Sequence, residues 1–292
     1  MVPWQKKGEW LELLLPQPLA DPYEIANYIQ ASDAFIRKLL NRGELSVKGG
    51  RVRIRIFPNE SINYMPEWMP IDVLYEDDFC LVVNKPAGLK VHGDGSTQGS
   101  GRTTLADAVA FHYESTGQRC KVRHIHRLDE DTTGPVLYAK HEWAQLAMDR
   151  AMREKRIGRS YVALVQGCPT AASGTIDAPI GKDRHHAARR RVSPTGDRAV
   201  THYEVLEKLT GAALVRLKLD TGRTHQIRVH LSHIGHPICG DMLYGGAAGI
   251  ISRQALHGET LAFEHPLTGE PLEASAPWPD DFRRLYSHLQ KI

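Results

Sequence analysis

Five short β-like runs, at 80–83, 136–139, 160–165, 200–206 and 213–219, constrain this chain most, because they follow one another with few helical stretches between them. Strand-rich runs joined mostly without helices lead to an α+β fold with a predominantly antiparallel mixed sheet rather than to alternating βαβ units. The helical stretches are short and one-sided. Leu105, Ala108, Val109 and His112 mark one face, and Trp143, Leu146, Ala147 and Ala151 mark another. Both read as core stripes. Ile227, Leu231 and Ile234 give a third helix ending at Gly235, a residue free to take the positive φ of a C-terminal cap. Arg223 then falls at that helix's start.

The chain has 292 residues, 41% of them apolar and 24% charged, which is enough for one large core or a core plus a small appendage. No run of about eighteen apolar residues occurs, and the start Met1-Val2-Pro3-Trp4-Gln5-Lys6-Lys7 lacks an apolar core followed by a cleavage site. A cytoplasmic monomer, away from membranes, is the expectation. Cys80, Cys120, Cys168 and Cys239 are far apart and form no Cys-x-x-Cys pair, so buried free thiols are expected rather than disulfides or a thiolate zinc site.

Residues 1–58 read as a separable N-terminal appendage, with a helical stretch at 24–40 and two short basic strands meeting at Gly49-Gly50. The proline-rich segment 59–71 reads as a linker to a catalytic domain at 72–292. The glycine-rich segment 93–101 lacks the Gly-x-Gly-x-x-Gly spacing of a dinucleotide site and reads as a mobile loop.

The net charge of +3 does not by itself imply nucleic-acid binding, but its distribution is uneven. Basic clusters fall at 150–159 and 182–191, the second containing Arg189, Arg190 and Arg191. In isolation such runs are usually solvated faces. Asp129 is placed differently, between Arg127 and a bend at Gly134 that leads into an apolar run, which sets it on a loop rim. Glu130 and Asp131 read as solvated turn residues, and a turn-capping Asp129 is the bland alternative.

His126-Arg127-Leu128-Asp129, followed after two residues by Thr132-Thr133-Gly134, resembles the signature of the RluA-type RNA pseudouridine synthases, in which the middle residue of the last step is usually Ser. Further landmarks occur in order: Asn84-Lys85-Pro86-Ala87-Gly88-Leu89, Tyr161 to Gly167, Thr221 to His230, Gly235 to Asp241, Leu256-His257 and Phe263 to Pro266. The resemblance spans roughly residues 72–270, and ordered matches are more specific than any single motif. It implies a pseudouridine-synthase catalytic fold, structured RNA (ribosomal or transfer) as partner, and no metal or cofactor. Residues 31–47 are similar to the small α-L RNA-binding domain, although Gly49 stands where that pattern usually has Asn.

Turning uridine into its carbon-linked isomer requires breaking a glycosidic bond, turning the base and rejoining it. The resemblance makes Asp129 the catalytic carboxylate. Attack on the anomeric carbon, attack on the uracil ring and removal of a ribose proton all stay open. By the same resemblance Arg223 pairs with Asp129, a role suited to an arginine's permanently charged fork, and Tyr161 stacks on the target uracil. Arg127 or His126 would fill the gap left by the everted base, with buttressing of the catalytic loop as the alternative for both. Arg189, Arg190 and Arg191 are expected on a loop gripping RNA phosphates. A protein that kept the fold without activity is one competing reading. A metal hydrolase is the other, prompted by His124-x-His126 and by His230, His233 and His236, without a full ligand set.

Overall fold

The computed structural model describes residues 2–93, 103–247 and 249–291. Most of the glycine-rich segment at 93–101 therefore lies outside the described residues. The N-terminal part opens with a hairpin that the sequence reading did not anticipate, β1 (Trp4–Lys7) and β2 (Trp10–Leu14). The expected helical stretch is two helices, α1 (Ile25–Ile29) and α2 (Asp33–Asn41), parted at Gln30, whose φ of 50° closes α1, and at Ser32, whose hydroxyl caps α2 by accepting from Phe35 N at 3.3 Å. Next come β3 (Leu45–Lys48) and β4 (Arg51–Arg55), completing a sheet of order β1-β2-β4-β3. In β4 the two-residue period buries Val52 and Ile54, while the arginines alternate on the other face.

This sheet does not stand apart. Leu11, Ile25, Ile29 and Ile36 share one apolar cluster with Phe79 and Trp143 of the main body. Trp143 Nε1 donates to the Ile29 carbonyl at 3.2 Å, and Lys38 pairs with Glu142.

The main body begins with β5 (Asp72–Glu76), β6 (Cys80–Lys85) and α3 (Leu105–Ser115), whose Thr104 and Asp107 form a reciprocal capping box. After β7 (Arg123–His124) and the fully buried β8 (Gly134–Ala139) comes α4 (Glu142–Arg153). The buried face of α4 is Trp143, Ala144, Met148 and Ala151, while Leu146, expected in the core, is 43% exposed. Trp143 and Ala151 are buried as expected, and Ala144 and Met148 complete the face in place of Leu146 and Ala147, with Ala144, Met148 and Ala151 at i, i+4 and i+7.

The rest of the chain supplies β9 (Gly158–Gln166), β10 (Ser173–Asp177), β11 (Ile180–Lys182), β12 (Arg190–Val192), β13 (Val200–Leu209) and β14 (Ala212–Leu219). After these come α5 (Gln226–His233), β15 (Leu256–Glu264), β16 (Pro271–Ser275) and α6 (Asp280–Lys291). One sheet runs β10-β13-β14-β9-β15-β16 and another β5-β6-β8-β7. Their strand pairs are antiparallel, and a parallel bridge from Thr133 to His257 joins the two sheets. The fold is α+β.

That junction depends on Gly134. It sits at φ +127°, and a Cβ there would stand 2.4 Å from the Gly258 carbonyl oxygen. No larger residue fits without separating β8 from β15. The loop carrying Asp129 is thereby held against β15 of the larger sheet. Of the described cysteines, Cys80 is buried and the other three are half-buried, all as free thiols. Among the described residues no helix is long and apolar enough to cross a membrane.

Candidate active site

Asp129 lies in the loop between β7 and β8, on the floor of a cleft of about 540 Å³ lined by Arg127, Tyr161, Arg223, His225 and Arg228 among others. A second hollow of about 370 Å³ opens on its other side and shares Arg127, His225 and Arg228. The carboxylate is 18% exposed, so it is reachable from both hollows yet mostly shielded from water.

The loop is clamped one residue at a time. Lys85 Nζ, at the end of β6 and fully buried, donates to the carbonyls of Glu130 at 2.6 Å, Leu89 at 2.7 Å and Pro86 at 2.9 Å. Arg253 Nη1 donates to the Asp131 carbonyl at 3.0 Å while its fork holds Asp281 of α6 at 2.7 and 2.8 Å. Gln254 donates to Thr132 Oγ1 at 3.2 Å, and Thr133 Oγ1 bonds His257 Nδ1 at 2.7 Å. Burial pushes the Lys85 ammonium down to about 7, with Asp131 and Asp129 opposing the shift. Three carbonyl acceptors nevertheless match the three N–H bonds of the charged form.

The expected pair between Asp129 and Arg223 is not formed. Arg223 belongs to the turn before α5, where Gln226 Oε1 accepts from Arg223 N at 3.0 Å and from Thr221 Oγ1 at 2.7 Å, and this places the guanidinium on the rim. There its Nε donates to the Arg198 carbonyl at 3.0 Å and Nη1 lies 3.7 Å from Asp197. Arg228, in the first turn of α5, points inward instead. Its Nη1 reaches Asp129 Oδ2 at 3.5 Å, and Nε and Nη2 grip both oxygens of Asp241 at 2.7 and 2.8 Å. Burial opposes the charge of Arg228, but the bonds and charge of Asp241, followed by Asp129, outweigh it and hold the pKa above the ordinary arginine value. Asp241 thus fixes the fork, and the fork presents one nitrogen to Asp129.

Arg228, Asp241, Lys85 and Arg253 were missed as site residues although the first three lie inside quoted landmarks. A signal for Arg228 existed: it shares the buried face of α5 with Ile227 and Leu231, where an unpaired arginine is rarely found.

Tyr161 is 5% exposed, on β9, and forms part of the cleft wall. Burial, and secondarily the charge of Asp129, raises its phenol pKa against the opposing effect of Arg159. Arg127 is exposed at the mouth and borders both hollows. His126 is 7% exposed; its Nε2 accepts from Leu137 N of β8 at 3.3 Å, which braces the loop, and the residue also lines the cleft. Arg190 and Arg191 are not on a loop: they form β12, which pairs with β11 in a hairpin, and Arg189 lies at the end of its connecting turn. The paired strands hold a fixed basic edge where a loose one was expected.

His124, His230 and His236, three of the histidines that prompted a metal hypothesis, have other partners. His124 stacks on His92 with centroids 4.4 Å apart, and His230 bonds Thr201 Oγ1 and the Ala178 carbonyl, each at 2.9 Å. His236 bonds the Gln166 carbonyl at 3.0 Å. Among the described residues no group of three or more His, Cys, Asp or Glu could hold a metal ion.

Burial pushes both His126 and His141 down to about 3, helped in each case by nearby cations. Below pH ~6.5 the unfolded chain takes up protons at these positions that the folded chain refuses, so stability should fall with pH by roughly 1.4 kcal/mol per unit for each histidine. Urea unfolding at pH 7.5, 6.5 and 5.5 measures this. A His141→Gln variant should show a shallower decline.

A family model described as RNA pseudouridylate synthase matches residues 79–233 of this chain. The chain belongs to that family. It is an RNA pseudouridine synthase of the RluA type, an isomerase. It is similar to the uncharacterized RNA pseudouridine synthase YhcT of Bacillus subtilis, 40% identical over 96% of this chain and 97% of that one. It also resembles the ribosomal large subunit pseudouridine synthase D of Xanthomonas campestris, 36% identical over 100% of this chain and 92% of the relative. Among solved structures, human RNA pseudouridylate synthase domain containing 4 aligns with a TM-score of 0.61 at 26% identity, over 74% of this chain and 92% of the human one.

Proposed function

We propose that this synthase isomerises uridines in large-subunit ribosomal RNA, with Asp129 performing the chemistry under the control of Arg228. The observation that carries this reading is the buried chain Asp241–Arg228–Asp129 at the cleft floor, which holds one carboxylate beside a fixed guanidinium and accessible from the cleft. The names of relatives 36–39% identical to this chain, ribosomal large subunit pseudouridine synthase D, favour ribosomal over transfer RNA. Residues 1–58 form an N-terminal appendage joined by 59–71 to the catalytic part at 72–292; Arg53 and Arg55 of β4 are paired there with Glu12, Glu9 and Glu44, so the grip on structured RNA is assigned to the catalytic part.

Tyr161 holds the face of the uracil, Arg127 enters the space the base leaves, and Arg223 guards the rim. Tyr161→Phe should retain more single-turnover activity than Tyr161→Leu if the ring face dominates, and equal severe losses in two folded variants would assign the role to the hydroxyl. The β11–β12 hairpin binds phosphates. Replacing Arg189, Arg190 and Arg191 together by Gln should weaken RNA binding and flatten the slope of log affinity against log salt by roughly 2–3 units, at about 0.7–0.9 per phosphate. Filter binding at several salt concentrations measures both quantities.

Mapping pseudouridine across all cellular RNA with and without this gene tests the substrate. The expected result is loss of signal at defined large-subunit positions; loss confined to transfer RNA would overturn the ribosomal assignment.

A further inference from the structure

Tyr244 stands where the basic hairpin, the start of α5 and the Arg228 guanidinium converge. It is 3% exposed, in a short helical turn, Met242–Tyr244, directly after Asp241. The Arg228 guanidinium lies 4.9 Å from the centroid of its ring and that of Arg189 5.6 Å. Two cations of different duty, one facing Asp129 and one at the hairpin, thus use the same aromatic ring.

The hydroxyl makes a second connection. It accepts from the backbone N–H of Arg190 at 2.9 Å and lies 2.8 Å from His225 Nδ1. An amide N–H can only donate, which leaves the phenol's own proton free to go to His225 Nδ1. A neutral imidazole bonded in this way carries its proton on Nε2. His225 caps α5 at φ +57°, an unusual conformation for a residue other than glycine, and borders both hollows beside Asp129. Ser232 of α5 donates to the Tyr244 carbonyl at 2.8 Å, fixing the backbone of the same residue.

We propose that Tyr244 is a positioning residue that couples phosphate engagement by the β11–β12 hairpin to the alignment of Arg228 and His225 around Asp129. This rests on the reading that the hairpin grips RNA and that Asp129 acts on the uridine. A phosphate that draws on Arg189 or moves the Arg190 backbone acts on the ring and hydroxyl that also hold Arg228 and His225. Neither Arg189 nor Arg190 needs to approach the reacting base.

A double-mutant cycle tests the coupling with an unmodified transcript of Bacillus subtilis large-subunit ribosomal RNA, measuring affinity and the single-turnover rate at saturating enzyme. Tyr244→Phe should keep affinity within about threefold and slow the saturated step by about tenfold. The triple Gln replacement of Arg189, Arg190 and Arg191 should weaken binding and also slow the saturated step. In the Tyr244→Phe background it should weaken binding equally but slow nothing further. A wild-type rate for Tyr244→Phe, or slowing that multiplies across the cycle, overturns the coupling while leaving the RNA grip intact. Unchanged affinity in the triple variant overturns the grip itself and the coupling with it. An independent reading that needs no variant to fold is the ¹⁵N shift pattern of His225 in the wild-type protein: the Nε2–H tautomer is expected, and the Nδ1–H tautomer contradicts the inferred bond direction.

Discussion

Arg228→Gln is expected to lower pseudouridine formation by about a hundredfold to a thousandfold, the usual cost of losing a charge placed against a reacting group. It should also destabilise the fold. Asp241 is 1% exposed and both of its oxygens are held by Arg228, so the variant leaves a buried carboxylate facing a neutral amide. Breaking such a pair from one side costs about 3–5 kcal/mol. Arg228→Lys keeps a charge but cannot grip two oxygens of Asp241 and reach Asp129 at once, so it should remain strongly impaired. Arg223→Gln touches neither carboxylate and should leave stability within about 0.5 kcal/mol, as is usual for an exposed position. Thermal unfolding and single-turnover rates measured together separate the two arginines.

Asp129→Asn is expected to abolish turnover while sparing both the fold and RNA binding. The substitution keeps the side chain's size and removes the charge that any of the three chemical routes requires. Asp129 contributes one long contact, 3.5 Å, to a guanidinium already satisfied twice by Asp241, so Arg228 stays in place. The loop carbonyls clamped by Lys85 and Arg253 are backbone groups and do not change. Affinity within about threefold of wild type and a nearly unchanged unfolding midpoint are the expected checks.

Much of this arrangement was legible from the chain. Asp129 was placed on a loop leading into a buried strand because Gly134 and the apolar run after it are local signals, and the loop and strand lie where that pattern put them. The partner of Asp129 was not legible in the same way. Arg223 and Arg228 lie five residues apart in one motif, and their fates are decided by the turn that Gln226 closes, itself anchored to Val200 and Thr201 of β13, and by which face of α5 is buried. The β1–β2 hairpin escaped because Trp10–Leu14 mixes leucines with Glu12, whose burial makes sense only once Lys7 and Arg53 are beside it. The basic cluster at 189–191 read as a loop because its few apolar residues give no strand pattern; pairing of Arg190–Val192 with Ile180–Lys182 supplies the missing constraint.

The most direct test of the account is the pseudouridine content of unmodified large-subunit ribosomal RNA after incubation with a molar excess of purified protein, read by nucleoside mass spectrometry over time. Wild-type protein should convert its target uridine in a single exponential phase, and Asp129→Asn, bound to the same RNA, should convert it at least about a thousandfold more slowly. Conversion by Asp129→Asn at a rate near that of the wild type would contradict the assignment of the chemistry to Asp129.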